Sequence, residues 1–165
     1  MIKLEELKLN KDLDLEEYIE FRDYVKSNME HPEWLGDFSK EDLEFMLSIG
    51  TEIWNYSNDE ELVCSIMLIP SSEKDVTSFE LTCDYKVTID CGPTMVSPKY
   101  VGNGLMTQMM KAMEEYVKGN GIKYIVGTVH PDNEFSVNNF IKNDYKEISR
   151  KEFKRGLRAV FFKEL

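Results

Sequence analysis

The stretch TMVSPKYVGNGLMT, Thr94 to Thr107, decides how the rest of the chain is read. Thr94, Met95 and Val96 have the character of an apolar strand end, Ser97-Pro98 of a turn, and Leu105 of a helix start. From there Leu105, Met106, Met109, Met113, Tyr116 and Val117 recur at the spacing of one helical face, so the turn opens an amphipathic helix. Gly102 and Gly104 have no Cβ and accept positive φ, and Asn103 between them tolerates the same region. Such a turn leaves backbone N–H groups converging at the positive end of a helix dipole, which suits a phosphate.

Two glycines also serve simply to turn a strand into a helix. Two familiar nucleotide loops are excluded. A P-loop ends in Gly-Lys-Ser/Thr, whereas Gly104 is followed by Leu105. A dinucleotide fingerprint needs a third glycine where Thr107 stands, and an acid ending the next strand, where His130 sits.

From about Met95 to Tyr145 the chain resembles the Gcn5-related N-acetyltransferase (GNAT) family. The residues that carry this are Val96-Ser97-Pro98-Lys99-Tyr100-Val101-Gly102-Asn103-Gly104-Leu105, then Pro131-Asp132-Asn133 and Ser136. The resemblance implies that backbone amides of Val101, Gly102, Asn103, Gly104, Leu105, Met106 and Thr107 hold the pyrophosphate of coenzyme A. With Gly104 on the central glycine of the family's Gln/Arg-x-x-Gly-x-Gly/Ala motif, Val101 stands at the Gln/Arg position and Met106 at the Gly/Ala position. Both depart from the pattern, but backbone amides bind whatever the side chain. Lys99 is the nearest basic residue for the phosphates.

Composition agrees with a soluble, cytoplasmic single domain over residues 1–165. Twenty Lys and Arg against 31 Asp and Glu give a net charge of −11, which argues against nucleic acid as a partner and is compatible with a cationic acceptor. Cys64, Cys83 and Cys91 form no CxxC pair, and with only His31 and His130 to join them no metal site is expected. The longest apolar run, Leu62 to Ile69, is too short for a bilayer, so no membrane partner is expected.

In chain order, Ile2, Leu4, Leu7 and Leu9 read as a first strand. Asp14 opens a helix with Leu15, Tyr18, Ile19 and Val25 as its stripe, and Ser39 with Asp42 caps a second, whose Leu43, Met46 and Leu47 face inward before Gly50. Residues 53–56 and 62–69 form a hairpin, and Ser71 to Ser78 a polar loop. Phe79 to Thr82 adds some extended structure. A strand resumes near Tyr85 and is interrupted by Gly92-Pro93. Ile122 to Val129 suits a buried parallel strand, Asp132 or Asn133 begins a helix through Ile141, and Tyr145 to Phe153 and Leu157 to Phe162 form a closing hairpin around Arg155-Gly156. The resemblance makes this an α/β (α+β) GNAT-like acyl-CoA N-acyltransferase fold. It has a mixed, mostly antiparallel sheet of six or seven strands, with strands 4 and 5 parallel and splayed, and about four helices.

The resemblance further implies acetyl-CoA as co-substrate and direct acetyl transfer to a primary amine of a small molecule or peptide. Met95 and Val96 would meet the pantetheine arm. Asn133 would bond its amide while also capping a helix, and Ser136 and Phe140 would join the cofactor site. Glu30, Trp34 and Phe38, in the segment that lines the family's acceptor pocket, are candidate substrate contacts. A homodimer through the terminal strands is the family's usual assembly. An amine with a pKa near ~10.4 needs a base, and His130, near ~6.5, is the first candidate, with Asp90 and Asp84 behind it. The family's thiolate-protonating tyrosine position holds Phe140, and Tyr145 follows Asp144 where the family has a glycine. That leaves Tyr100, Tyr85 or water as the acid. The competing reading, prompted by Phe140, Val101 and Met106, is a non-catalytic coenzyme-binding sensor or interaction module.

Overall fold

A computed structural model describes residues 1–165. Seven strands form one mixed sheet in the order β1-β2-β3-β4-β5-β7-β6: β1 Lys8–Asn10, β2 Glu52–Ser57, β3 Leu62–Pro70, β4 Thr88–Val96, β5 Tyr124–Val129, β6 Lys146–Phe153 and β7 Gly156–Glu164. Five α-helices accompany it: α1 Leu15–Ser27, α2 Lys40–Ser48, α3 Glu73–Ser78, α4 Leu105–Gly119 and α5 Glu134–Lys142. None is long and apolar enough to cross a membrane. The chain divides into two compact units, Met1–Leu68 with Pro93–Met109, and Ile69–Gly92 with Met110–Leu165.

In the first unit, β2 and β3 pair antiparallel from Glu52–Leu68 to Ser57–Leu62, with an irregularity at Tyr56/Ser57. Their turn is tied by Asn58, whose Oδ1 accepts the amides of Glu60 at 2.9 Å and Glu61 at 2.8 Å. The first strand is shorter than its apolar residues suggest. Glu6 captures the Lys3 amide at 2.7 Å and winds Leu4–Glu6 into a 3₁₀ turn, so only Lys8–Asn10 remain to pair with β2. Helix α1 is capped by Asp14, which accepts the Glu16 amide at 2.8 Å, and α2 by the reciprocal box of Ser39 and Asp42. Leu43 is fully buried, but Leu47 is 39% exposed and does not face inward as its spacing suggests. Gly50 follows α2 at φ +102°.

In the second unit the polar run from Ser71 is a helix and not a loop. Ser72 and Asp75 cap each other's backbone amides, at 3.1 and 2.8 Å, and nucleate α3. The turn-forming composition of this run is therefore the composition of a capping box. Phe79 and Leu81 form no strand; they pack with Val126, Val160 and Phe153. Tyr85–Val87 is a 3₁₀ turn capped by Asp84, and β4 begins at Thr88 and runs through Gly92-Pro93 without a break. Beyond β5, Phe140 of α5 stacks on Phe161 of β7 with centroids 4.9 Å apart and planes 5° from parallel, and meets Tyr145 edge-on. Its ring lies directly over Gly127, where a Cβ would come within 2.5 Å of it. Asp144 holds φ +66°, so the position where the resembling family has a glycine keeps the left-handed backbone without one.

Two substitutions test this packing by urea unfolding. Gly127→Ala should destabilise the protein by roughly 1–3 kcal/mol, because the stacked Phe140 ring has no room to retreat. Asp144→Gly should stabilise it by about 0.5–1 kcal/mol by relieving the left-handed strain. A neutral Gly127→Ala would mean that the ring moves freely.

Candidate functional site

Strand β4 ends at Val96, and the Ser97 amide donates to the Val63 carbonyl at 2.8 Å. Pro98–Tyr100 makes one 3₁₀ turn, closed by Tyr100 N to Ser97 O at 2.9 Å. Gly102 and Gly104 take φ +91° and +68°. A Cβ at Gly102 would meet nothing within 4 Å, and one at Gly104 only Gln108 Nε2 at 3.9 Å, so backbone conformation and not crowding demands glycine here. Gln108 N bonds Gly104 O at 3.1 Å, while the amides from Val101 to Met106 donate to no protein acceptor. A run of bare N–H groups thus heads helix α4, the arrangement that attracts a multi-oxygen anion.

This bare turn is braced from both sides. Asn103 Oδ1 accepts the Ile2 amide at 3.0 Å and its Nδ2 donates to Tyr100 O at 2.8 Å. Gln108 accepts the Leu4 amide at 2.9 Å and donates to Asn103 O at 3.1 Å. The β2–β3 turn supplies the second brace. Tyr100 donates its hydroxyl to Glu61 at 3.0 Å and accepts from Asn58 at 2.7 Å, and Lys99 pairs with Glu61 at 2.8 Å. Lys99 is therefore committed to a carboxylate, and its hydrogen bond there raises its proton affinity. The Tyr100 hydroxyl is likewise committed and pushed up by the same Glu61. Sequence reading misses Gln108, Asn58 and Glu61, because the first lies a turn inside the helix and the others lie in a distant hairpin. Met95 and Leu105 are buried, Val96, Met106 and Thr107 half-buried, and Val101 exposed.

The α1–α2 segment is pinned by a residue that pattern reading passes over. Arg22, 7% exposed, sits four residues after Tyr18 on the buried stripe of α1, donates to the Phe38 carbonyl and pairs with Asp37 at 3.3 Å. Trp34 stacks on His31 at 4.2 Å, and Glu30 is exposed.

In the second unit the parallel β4–β5 ladder pairs Thr88 with Tyr124, Ile89 with Ile125 and Asp90 with Val126; β5 runs on to Val129. Asp90 stands at the last of these pairs. Part of its surface meets solvent, yet the protein packed around it pushes its carboxyl from 3.8 up to about 7; Asp75 adds to that rise and Arg155 opposes it. His130 Nδ1 accepts the Asp132 amide at 3.1 Å. The Asp132 carboxylate lies 4.0 Å from the same nitrogen, so Nδ1 faces this one residue through both its amide and its side chain. Asp84 is spent as a cap, accepting the Lys86 amide at 2.9 Å. Asn133 Oδ1 accepts the Ser136 amide at 3.3 Å at the head of α5, while its Nδ2 donates to no protein group. Phe140 belongs to the core described above. No cluster of three or more His, Cys, Asp or Glu side chains is placed to hold a metal ion.

A family model described as "Acetyltransferase (GNAT) family" matches residues 16–142. No sequence among the curated proteins matches. Among solved structures, a GNAT-family acetyltransferase from Streptococcus pneumoniae superposes with a TM-score of 0.72 at 14% identity, over 97% of this chain and 99% of that one. The GNAT domain of S. lividans PAT gives 0.73 at 12%, over 96% and 89%. An aminoglycoside acetyltransferase in complex with coenzyme A gives 0.72 at 12%, over 96% and 94%.

The raised pKa of Asp90 has a signed consequence for stability. Between about pH 4 and 7 the folded protein keeps a proton that the unfolded chain releases, so its contribution is complete at low pH and is lost as pH rises through about 7. Relative to Asp90→Asn, native stability should fall across that window by roughly 2–4 kcal/mol, at about 1.4 kcal/mol per pKa unit. Parallel urea-unfolding curves for the two proteins from pH 4 to 8 would mean an ordinary carboxyl.

Proposed function

This chain is a member of the GNAT acetyltransferase family, and we propose that it moves an acetyl group from acetyl-CoA directly to a primary amine of a small molecule or peptide. The observation that carries this reading is the run of unpaired amides from Val101 to Met106 at the head of α4. In this reading those amides grip the coenzyme's pyrophosphate, and no basic side chain is required of Lys99. Asn133 caps α5 through Oδ1 and offers its uncommitted Nδ2 to a pantetheine carbonyl.

Transfer then needs a proton acceptor for the ammonium. Asp90 fits better than His130. With its carboxyl near 7 it is ionised in a large fraction of molecules at neutral pH and is more basic than an ordinary carboxylate. His130 already engages the Asp132 amide through Nδ1. The amine nitrogen attacks the thioester carbonyl, its proton passes to Asp90 directly or through water, and the carbon–sulfur bond breaks. A thiol near pKa ~8.5 is an adequate leaving group, so water can protonate it. That removes the need for a hydroxyl at Phe140 or for the committed Tyr100.

Titration with acetyl-CoA, followed by thiol release over a panel of primary amines, tests the proposal; saturable binding with no release from any amine would favour the non-catalytic module. Asn103→Ala, which unties the turn from Ile2 and Tyr100, should raise KM for acetyl-CoA about tenfold with little change in kcat. Asp90→Asn should lower kcat/KM for the amine by about 10²–10⁴ and erase the limb of the pH profile centred near 7. A limb that survives in Asp90→Asn would assign the base elsewhere.

A further inference from the structure

Charge is unevenly spread along the chain. Between residues 14 and 44, eleven acids stand against three bases, so this segment holds −8 of the chain's net −11. All three bases are spent inside it: Arg22 on Asp23 and Asp37, each at 3.3 Å, Lys26 on Asp37 at 3.7 Å, and Lys40 on Glu16 at 3.0 Å. Glu17, Glu20, Glu30 and Glu41 are exposed and in no ion pair. Acids alone would be an ordinary solvated surface. Helix α2 adds what water does not favour: Phe45 is 64% exposed and Ile49 52%, four residues apart and therefore side by side, with Glu41 one turn before them. Phe135 and Ile141 of α5 are similarly exposed, but at six residues apart they lie on different faces.

Helix geometry carries this surface toward the open turn. The Lys40–Glu16 pair ties the first turn of α2 to the first turn of α1, and Arg22 fastens the connection between them through Phe38 and Asp37. Glu16, Glu20 and Tyr24 follow at intervals of four, so they line one face of α1 over about 12 Å. All three are exposed. At the far end Tyr24 lies within electrostatic reach of Lys99, in the 3₁₀ turn that leads to the bare amides. Helices α1 and α2 and that turn all belong to the first compact unit. An acidic row thus runs from the helix that bears the apolar pair to the edge of the turn suited to an anion.

Resting on the acetyltransferase reading above, we propose that Phe45 and Ile49 of α2 dock a basic amphipathic segment of a polypeptide, and that the acceptor amine is a lysine of that segment. Its apolar side chains cover Phe45 and Ile49, while its cations lie along Glu41 and Glu20 toward the turn. The lysine nitrogen bonds to the acetyl carbon as the carbon–sulfur bond breaks. The nitrogen's proton passes to the base, the thiolate takes a proton from water, and the products are N-acetyl-lysine and the coenzyme thiol. A small polyamine would meet the acids but leave the apolar pair in water, which is why a polypeptide fits better. Each transfer removes one positive charge, so the product is held less firmly than the substrate.

Thiol release from acetyl-CoA by the full chain, with three acceptors compared, tests this directly. The first is a peptide of lysine and leucine with blocked termini, ordered so that a helix would segregate the two residue types. The second is the same composition shuffled, and the third is spermidine. The segregated peptide should give a kcat/KM about tenfold or more above each of the others. Phe45→Ser combined with Ile49→Ser should bring its ratio to the shuffled peptide to about one. Equal use of the two peptides by the native protein, a ratio that survives in the double variant, or spermidine as the best acceptor overturns the proposal. So does peptide affinity, by calorimetry, that fails to drop between about 50 and 500 mM NaCl. Should the double variant fail to fold by circular dichroism, the native ratio, the salt response and Glu20→Gln decide, the last expected to weaken peptide binding about threefold. Saturable binding of the segregated peptide without thiol release would keep the docking face and remove the transferase reading. Thiol release that favours spermidine would do the reverse.

Discussion

Helix α4 begins with no side chain to satisfy its first amides. Glycine at position 104 has nothing to cap with, and the left-handed backbone at Gly102 and Gly104 turns the chain so that the amides from Val101 to Met106 stay open. Bare N–H groups are normally a liability, since each gives up a bond it would have made with water. The surrounding structure keeps them bare. Asn103, the residue between the glycines, spends both ends of its amide on Ile2 and Tyr100, and Gln108 reaches back to Leu4 and Asn103. The turn is thus ordered before any ligand arrives, so little conformational entropy remains to be lost on binding.

The second brace, Tyr100 and Lys99 on Glu61, changes what the nearby side chains can do chemically. A tyrosine that donates to a carboxylate is a poor acid, and a lysine paired at 2.8 Å is not a free cation. The loop is left with main-chain dipoles as its means of holding an anion. In the proposed reading, main-chain binding would tolerate Val101 where the family has glutamine or arginine.

In the second unit, both faces of the central strands are packed, and one of them also carries buried charge beside Val126 and Val160. Phe140 needs Gly127 beneath it and Phe161 beside it, which makes this aromatic a core residue and leaves no hydroxyl at its position. On the other face Asp90 and Arg158 are incompletely compensated. Burial raises the carboxyl of the first and lowers the proton affinity of the second, the two signs expected when charge is moved out of water. Groups held in such unfavourable states tend to be those that a ligand or a reaction completes.

Much of the fold was legible in local chemistry. The glycine turn, the amphipathic face of α4, the Ser39–Asp42 cap and the buried strand before His130 all follow from rules acting over a few residues, and the structure has each of them. The Ser71–Ser78 run misled because turn composition and a capping box use the same residues, and the first strand because Glu6 competes locally for the Lys3 amide. What the sequence by itself determined is the string of elements and the open turn, since backbone conformation and periodicity are local properties. Only the tertiary structure decided that Lys99 and Tyr100 are committed to Glu61, that burial pushes the Asp90 carboxyl up to about 7 and that Arg158 Nη2 is buried without a partner. Those states depend on partners tens of residues away, or on how densely the protein surrounds a charge, and no spacing along the chain encodes either.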